Sequence, residues 1–229
     1  MKKTFLLLLL ALTGALTSVH AATTVPTRAE LVTRVESCEA ILQEFQANPA
    51  TAIPASVLQQ AHGIVIVNQF KAGFLLGIKD GYAVILVKRP NGQWSLPVLL
   101  SASEVSLGLQ VGAKADETIL VFTNEQTARL LFNQRFNVGV DAKAVAGPKA
   151  AERERTNDAI TEAPVLVYSK SKGLFAGATV KAGHLSRNDE ANFTLYNTEY
   201  TLPELLYSDW VKPIPEVQPL MNLMQRLSQ

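Results

Sequence analysis

Three apolar stretches of this chain carry glycine at alternating positions: Gly73, Leu75 and Gly77; Gly108, Gln110 and Gly112; and Gly177, Thr179, Lys181 and Gly183. Residues two apart share one face of a strand. Glycine on such a face weakens the strand unless curvature or close backbone approach requires it. Its recurrence in three strands predicts a strongly curved antiparallel sheet or small barrel with tight contact on the concave side. No spacing is regular enough for a repeat architecture. Helical periodicity at both ends of the chain makes the fold class α+β, the glycine-rich sheet flanked by N-terminal and C-terminal helices.

The chain divides into a leader over 1–21, a helical segment over 22–60, a β-rich core over 61–200 and a proline-punctuated helical tail over 201–229. Thr27 with Glu30 fits a capping box, and Leu31, Val35, Cys38, Leu42 and Phe45 recur at helical spacing, so Thr27 to Gln46 is expected to be a helix. Pro54 to Gln60 reads as a second, short helix. Gly63 to Asn68 reads as a buried strand, followed by a hairpin of Ala72–Lys79 and Gly81–Lys88 about Asp80-Gly81. Asn91-Gly92 marks a turn before a strand from Trp94 to Leu100. Ser101 and Glu104 either cap a short helical turn or begin a strand. Two more strands are expected over Ser106–Ala113 and Thr118–Thr123, separated at Asp116-Glu117. A helix capped by Thr123 carries Ala128, Leu131 and Phe132, and Arg135 to Ala142 alternates as a strand. Ala144 to Ile160 reads as a polar surface connection, and Ala191 to Tyr196 as a last strand. Pro203, Pro213, Pro215 and Pro219 then bound short helical pieces.

The first 21 residues have the three parts of a secretory signal: Lys2 and Lys3, an apolar run from Phe5 to Leu12, and Val19-His20-Ala21 before a mature start at Ala22. That run is too short to span a bilayer. The expected location is therefore periplasmic or secreted after cleavage near Ala21/Ala22, with no transmembrane helix in the mature chain. Without Lys2 and Lys3, 19 basic residues face 20 acidic ones, a formal net charge of −1 against +1 for the whole chain. Such a balance gives no general basic excess for nucleic acid, so any anion contact must be local. Cys38 is the single cysteine, which excludes an internal disulfide. Flanking glutamates do not favour a thiolate there, and a packed thiol is expected.

No phosphate loop, dinucleotide fingerprint, HExxH or GxSxG stands in the chain. One cysteine and two mature histidines, His62 and His184, do not make a structural zinc site. His62 is expected in a hydrogen-bonded structural role and His184 in an exposed polar loop. Adjacent carboxylates at Asp116-Glu117 and Asp189-Glu190 point apart and read as solvated turns. Asn192-Phe193-Thr194 matches a glycosylation sequon, relevant only in a eukaryotic host. Nothing nominates a catalytic residue, a metal or a cofactor, and a non-enzymatic role is expected.

The stretch from Val165 to Gly183 joins an alternating run to a second, glycine-bearing run across Lys172-Gly173, which predicts a hairpin. Its lysine tip is either simply solvated or touches a phosphate or lipid headgroup. H-G-I-V-I-V at 62–67, K-A-G-F at 71–74, W-S-L-P-V at 94–98, G-x-Q-x-G-A at 108–113, A-V-A-G-P at 144–148 and Y-S-K-S-K-G-L-F-A-G at 168–177 follow the order seen in SYLF-domain proteins. The chain resembles that family from Ala61 to Tyr196, as an exported bacterial member. The resemblance implies a lipid-binding module; eukaryotic members bind phosphoinositides and some bind actin. Those members bind membranes partly through a basic N-terminal segment, whereas residues 28–44 here carry two arginines and four glutamates. An exported protein meets anionic phospholipid or another envelope lipid instead, and that is the expected ligand class. Lys170 and Lys172 are the expected headgroup contacts and Leu174 and Phe175 the apolar ones, with Lys71, Lys149, Arg153 and Arg155 as further basic candidates. The alternative is a protein–protein interaction or structural module of the cell envelope, using the acidic first helix or the tail from Pro203.

Overall fold

The computed structural model describes residues 26–72, 78–105, 115–133, 135–137, 144–147, 163–169 and 184–229. Of residues 70–72, 78–80, 103–105, 115–116 and 144–146 it describes the backbone course only. The leader and the three glycine-bearing stretches lie outside the described residues.

Helix α1 spans Arg28–Ala47. Its capping box is complete: the Glu30 N–H donates to Thr27 Oγ1 at 3.3 Å, and the Thr27 N–H donates to Glu30 Oε2 at 2.7 Å. The Thr27 amide, followed by its hydroxyl, lowers the Glu30 pKa. Leu31, Val35, Cys38, Ile41, Leu42 and Phe45 form the buried stripe. The Cys38 thiol is fully buried and donates to the Ile66 carbonyl at 3.7 Å; desolvation pushes its pKa far up, as expected of a packed rather than reactive thiol. Helix α2, Ala55–Gln60, starts after Pro54 and leads into the sheet.

Eight described strands form one sheet: β1 Gly63–Ala72, β2 Ile78–Val87, β3 Val98–Val105, β4 Ala115–Phe122, β5 Arg135–Asn137, β6 Ala144–Ala146, β7 Val165–Ser169 and β8 His184–Arg187. Their order is β5-β8-β3-β2-β1-β4-β7-β6, and every pair is antiparallel except β6 with β7. The curl can be measured from two rings. Phe122 of β4 and Phe136 of β5 meet edge to face with centroids 6.4 Å apart. Their strands stand five positions apart, about 24 Å along a flat sheet. The register puts both on the face shared by Val65, Val67, Ala83 and Ala102, which is therefore the concave, buried inside of a half-barrel. The convex face carries α1, whose Arg34 guanidinium lies 5.2 Å from the centre of the Tyr82 ring. The predicted α+β class and strong curvature are both present.

Further helices are α3 Glu125–Arg129, which continues as a 3-10 turn over Leu130–Phe132, α4 Asp189–Tyr196, α5 Leu202–Tyr207 and α6 Gln218–Leu227. Trp94 Nε1 donates to Ser228 Oγ at 2.8 Å, which ties the end of α6 to the sheet.

Several local expectations are corrected. Asp80-Gly81 is not a turn: β2 runs through it, with Gly81 opposite Gln69. Asp116-Glu117 likewise lies inside β4. Strand β3 begins at Val98 rather than Trp94, because Pro97 has no N–H for a ladder, and it continues through Ser101 and Glu104. Asn124, not Thr123, caps α3, its Oδ1 accepting from the Thr127 N–H at 2.9 Å. The expected surface connection after Ala144 opens with β6. Both edges of Val165–Val167 are occupied, by β4 and by β6, so no hairpin return pairs there; the predicted return over Phe175–Gly183 lies outside the described residues. Ala191 to Tyr196 is helical, not extended. Asn188 Oδ1 caps the Ala191 N–H, Asp189 and Glu190 favour the first turn, and Asn197 closes the helix at φ 50°. Asn192 in that helix is fully buried, so the sequon is a structural element.

Candidate functional site

Lys170, Lys172, Leu174, Phe175, Lys149, Arg153 and Arg155 lie outside the described residues. Lys71 stands in β1 directly opposite Lys79 of β2, its backbone alone being described. The register does settle where the connections bearing the expected site are anchored. Ala72, Ile78 and Val105 align across three strands, and Ala115 aligns with Phe70. His184 aligns with Ser103, while Ser169 pairs with Thr118 near the same end. The stretches 73–77, 106–114 and 170–183 thus all leave and re-enter the sheet at one end, which also holds the Lys71–Lys79 pair.

The opposite end holds an open groove of about 520 Å³, walled by the last turn of α2, the start of β1, the end of β2 and α3. The His62 N–H donates to the Phe122 carbonyl at 2.9 Å, and the Lys88 N–H donates to the His62 carbonyl at 2.9 Å. The His62 N–H thus faces β4 while its carbonyl faces β2, so the chain bends at His62, just before β1, and the ends of three strands meet beside it. His62, expected in a hydrogen-bonded structural role, bonds only through its backbone among the described residues, and its side chain is exposed. Lys88 Nζ donates to the Gln59 carbonyl at 3.0 Å, and Arg89 donates through Nε to Leu206 O at 2.8 Å and through Nη2 to Leu205 O at 3.2 Å. Both cations cap helix C-termini. Partial burial lowers the Arg89 pKa, with Asp209 pulling the other way.

At the same end two aromatic rings are exposed. Trp210 is 62 % and Tyr200 39 % accessible, with ring centroids 5.1 Å apart and planes at 48°. Both lie in or beside the proline-punctuated tail. Neither the groove cations nor this ring pair was singled out from sequence. Lys88-Arg89 before the Asn91-Gly92 turn is the signal that a basic end existed.

His184, expected in an exposed loop, opens β8 and is half-buried, its Nδ1 without a hydrogen-bond partner. Among the described residues no group of three or more His, Cys, Asp and Glu side chains could hold a metal, and no helix is long and apolar enough to cross a membrane. Helix α1 touches the tail through an Arg28–Glu216 ion pair at 3.0 Å, exposed and of small weight, in which the acid belongs to the tail and not to the helix.

Comparison with known proteins gives a consistent picture. A family described as "Ysc84: Las17-binding protein actin regulator" matches residues 103–227, more than half of the chain. The chain is 32 % identical over 177 residues to LAS seventeen-binding protein 3 of Saccharomyces cerevisiae, an alignment that takes in 76 % of this chain and 38 % of the yeast protein. It is 31 % identical to Protein YSC84 of the same yeast, over 76 % of this chain and 37 % of that one. To the SH3 domain-containing YSC84-like protein 1 of Homo sapiens it is 25 % identical over 194 residues, 82 % of this chain and 57 % of the human one. The chain thus spans between about two fifths and three fifths of the relatives it matches. One of these relatives is named for binding and none of the three for catalysis. With the curled sheet, the ordered motifs and both sets of relatives in agreement, the chain belongs to the Ysc84 family of SYLF-domain proteins.

Proposed function

We propose that this chain is a non-enzymatic, exported protein of the cell envelope that binds anionic phospholipid or another envelope lipid at the glycine-bearing end of its curled sheet. The topology carries the reading. Ser169, immediately before Lys170, and His184, immediately after Gly183, are anchored at the end that holds Lys71 and Lys79. Lys170 and Lys172 supply charge at headgroup level, Leu174 and Phe175 apolar contact, and Lys71, Lys149, Arg153 and Arg155 reinforcement. Each lysine beside an anionic surface contributes about 1 kcal/mol, so two alone give weak, salt-sensitive attachment. Residues 1–21, with their basic start, apolar run and small-residue ending, support export and cleavage near Ala21/Ala22.

Flotation with liposomes tests the reading. The purified protein is expected to float with anionic vesicles and not with neutral ones, and to release as salt rises. The Lys170→Glu/Lys172→Glu double variant is expected to lose most of that binding. Equal flotation by both proteins would remove this end of the sheet from lipid binding.

A second reading, docking of an envelope protein on the tail, is favoured by the exposed Tyr200–Trp210 pair. Trp and Tyr are enriched where partners dock. Deleting 203–229 is a poor test, because Leu205, Leu220 and Met224 belong to the core. Trp210→Ala removes only exposed surface, and on this reading it loses partners in a pull-down while flotation stays at the wild-type level. Unchanged pull-down would end the second reading.

A further inference from the structure

We propose that the groove at the α2 end of the sheet is a second, separate site that binds a small phosphate monoester through Lys88 and His62. Three observations carry this. The groove, about 520 Å³, is open to solvent and roomy enough for a small phosphate monoester. His62 and Lys88 are joined by the Lys88 N–H to His62 carbonyl bond at 2.9 Å, and both line the groove. Its ammonium is uncompensated: Lys88 contacts no carboxylate among the described residues, Asp209 acts on Arg89, and Glu125, the acid at the rim, is held by Arg129 at 2.5 Å.

Helix capping does not exhaust these donors. Lys88 gives one of its three hydrogens to Gln59 O, and Arg89 spends Nε and Nη2 on α5 but not Nη1. The His62 ring has no partner among the described residues and is exposed. Thr123 is excluded as a ligand because its hydroxyl donates to Ala163 O at 2.7 Å. An oxyanion with several acceptor lone pairs accepts from both Lys88 and His62, which line the groove, whereas a neutral ligand leaves the ammonium without a counter-charge. The site stands at the end of the sheet opposite the lysine-bearing connections, so it does not depend on the lipid reading above.

Amide NMR of the purified protein, titrated with glycerol 3-phosphate and with inorganic phosphate, tests the site. The expected result is saturable shifts centred on His62, Lys88 and Thr123 that sodium chloride of equal ionic strength does not produce. Lys88→Gln is expected to weaken binding about tenfold, the scale of one hydrogen bond to a charged group. His62→Gln keeps the backbone bonds and alters only an exposed ring, so it folds whatever Lys88→Gln does, and it is expected to weaken binding several-fold. Vesicles containing phosphatidic acid broaden the same amides if the monoester is a lipid headgroup, and leave them untouched if it is a free metabolite. The Lys170→Glu/Lys172→Glu variant is expected to titrate like the wild type. Absence of saturable shifts, an equal effect of chloride, or wild-type binding by His62→Gln overturns the proposal.

Discussion

Asn192→Ala is expected to lower the unfolding free energy by about 3–5 kcal/mol, measured by urea unfolding followed through the buried Trp94. The cost follows from what the amide does. Asn192 is fully buried, its Oδ1 accepts the Leu99 N–H at 2.8 Å, and its Nδ2 donates to the Leu99 carbonyl at 2.9 Å and to Asn188 O at 2.8 Å. Strand β8 pairs with β3 only from Leu100 to Ser103, so at Leu99 the side-chain amide stands in for the missing strand. Alanine leaves both backbone groups of Leu99 buried without partners, each costing about 1–3 kcal/mol. Asn192→Asp keeps the acceptor but turns an oxygen toward the Leu99 carbonyl. Burial there raises the pKa of the new carboxyl in the folded state, so the protonated acid, which can donate, is favoured by folding. Its deficit relative to the wild type is therefore expected to shrink as pH falls and to be largest above the raised pKa. A loss below 1 kcal/mol for Asn192→Ala would show that Leu99 finds other partners.

The same residue marks the limit of what the sequence says. Ala191 to Tyr196 has an apolar character that suits a strand, and Asn192-Phe193-Thr194 reads as a surface motif. The deciding signal was local: Asn188 three residues before Ala191, two acids in the first turn and Asn197 at the end. Capping chemistry outweighed the period. At α1 the two agreed, and the helix was legible to within a residue at each end. Turn dipeptides divided in the same way. Asn91-Gly92 is a turn, with Gly92 at φ 78°, while Asp80-Gly81 is strand interior, because a dipeptide does not report whether its neighbours already lie in a ladder. The curvature is present as expected, although the glycines from which it was expected lie outside the described residues.

The functional surface was less legible, for a physical reason. Charge runs and motifs are read along the chain, whereas His62, Lys88 and Thr123 flank the ends of three separate strands and line one groove only once the sheet has formed. The ring pair Tyr200–Trp210 spans helix α5 in the same way. Family motifs identified the lysine-bearing stretch, and topology added only that its anchors share one end of the sheet with Lys71 and Lys79.

Gly81→Ala is expected to be about as damaging as Asn192→Ala, through backbone geometry and not through lost hydrogen bonds. A Cβ at position 81 would lie 2.3 Å from the Asn68 carbonyl oxygen and 2.8 Å from Gln69 Cα. Both are main-chain atoms of β1, so no rotamer change relieves the clash. Strands β1 and β2 must separate or twist along a ladder that runs from Gly63↔Val87 to Ala72↔Ile78, at the centre of the sheet. The expected loss is about 3–5 kcal/mol, at the severe end for one substitution. Gly92→Ala is the control. At φ 78° with nothing within 4 Å, the added methyl meets only the left-handed penalty of about 1–2 kcal/mol. The pair of variants therefore separates two reasons for a glycine, close approach at 81 and turn conformation at 92. Gly81 also lies on the concave face with Ala83 and Ala102, where small side chains let the sheet close on itself. If Gly81→Ala retains a folded core, its sheet must be flatter there, and the distance between β4 and β5 that brings Phe122 onto Phe136 must grow. Equal stability of the two glycine variants would mean that the curl does not depend on close contact at Gly81.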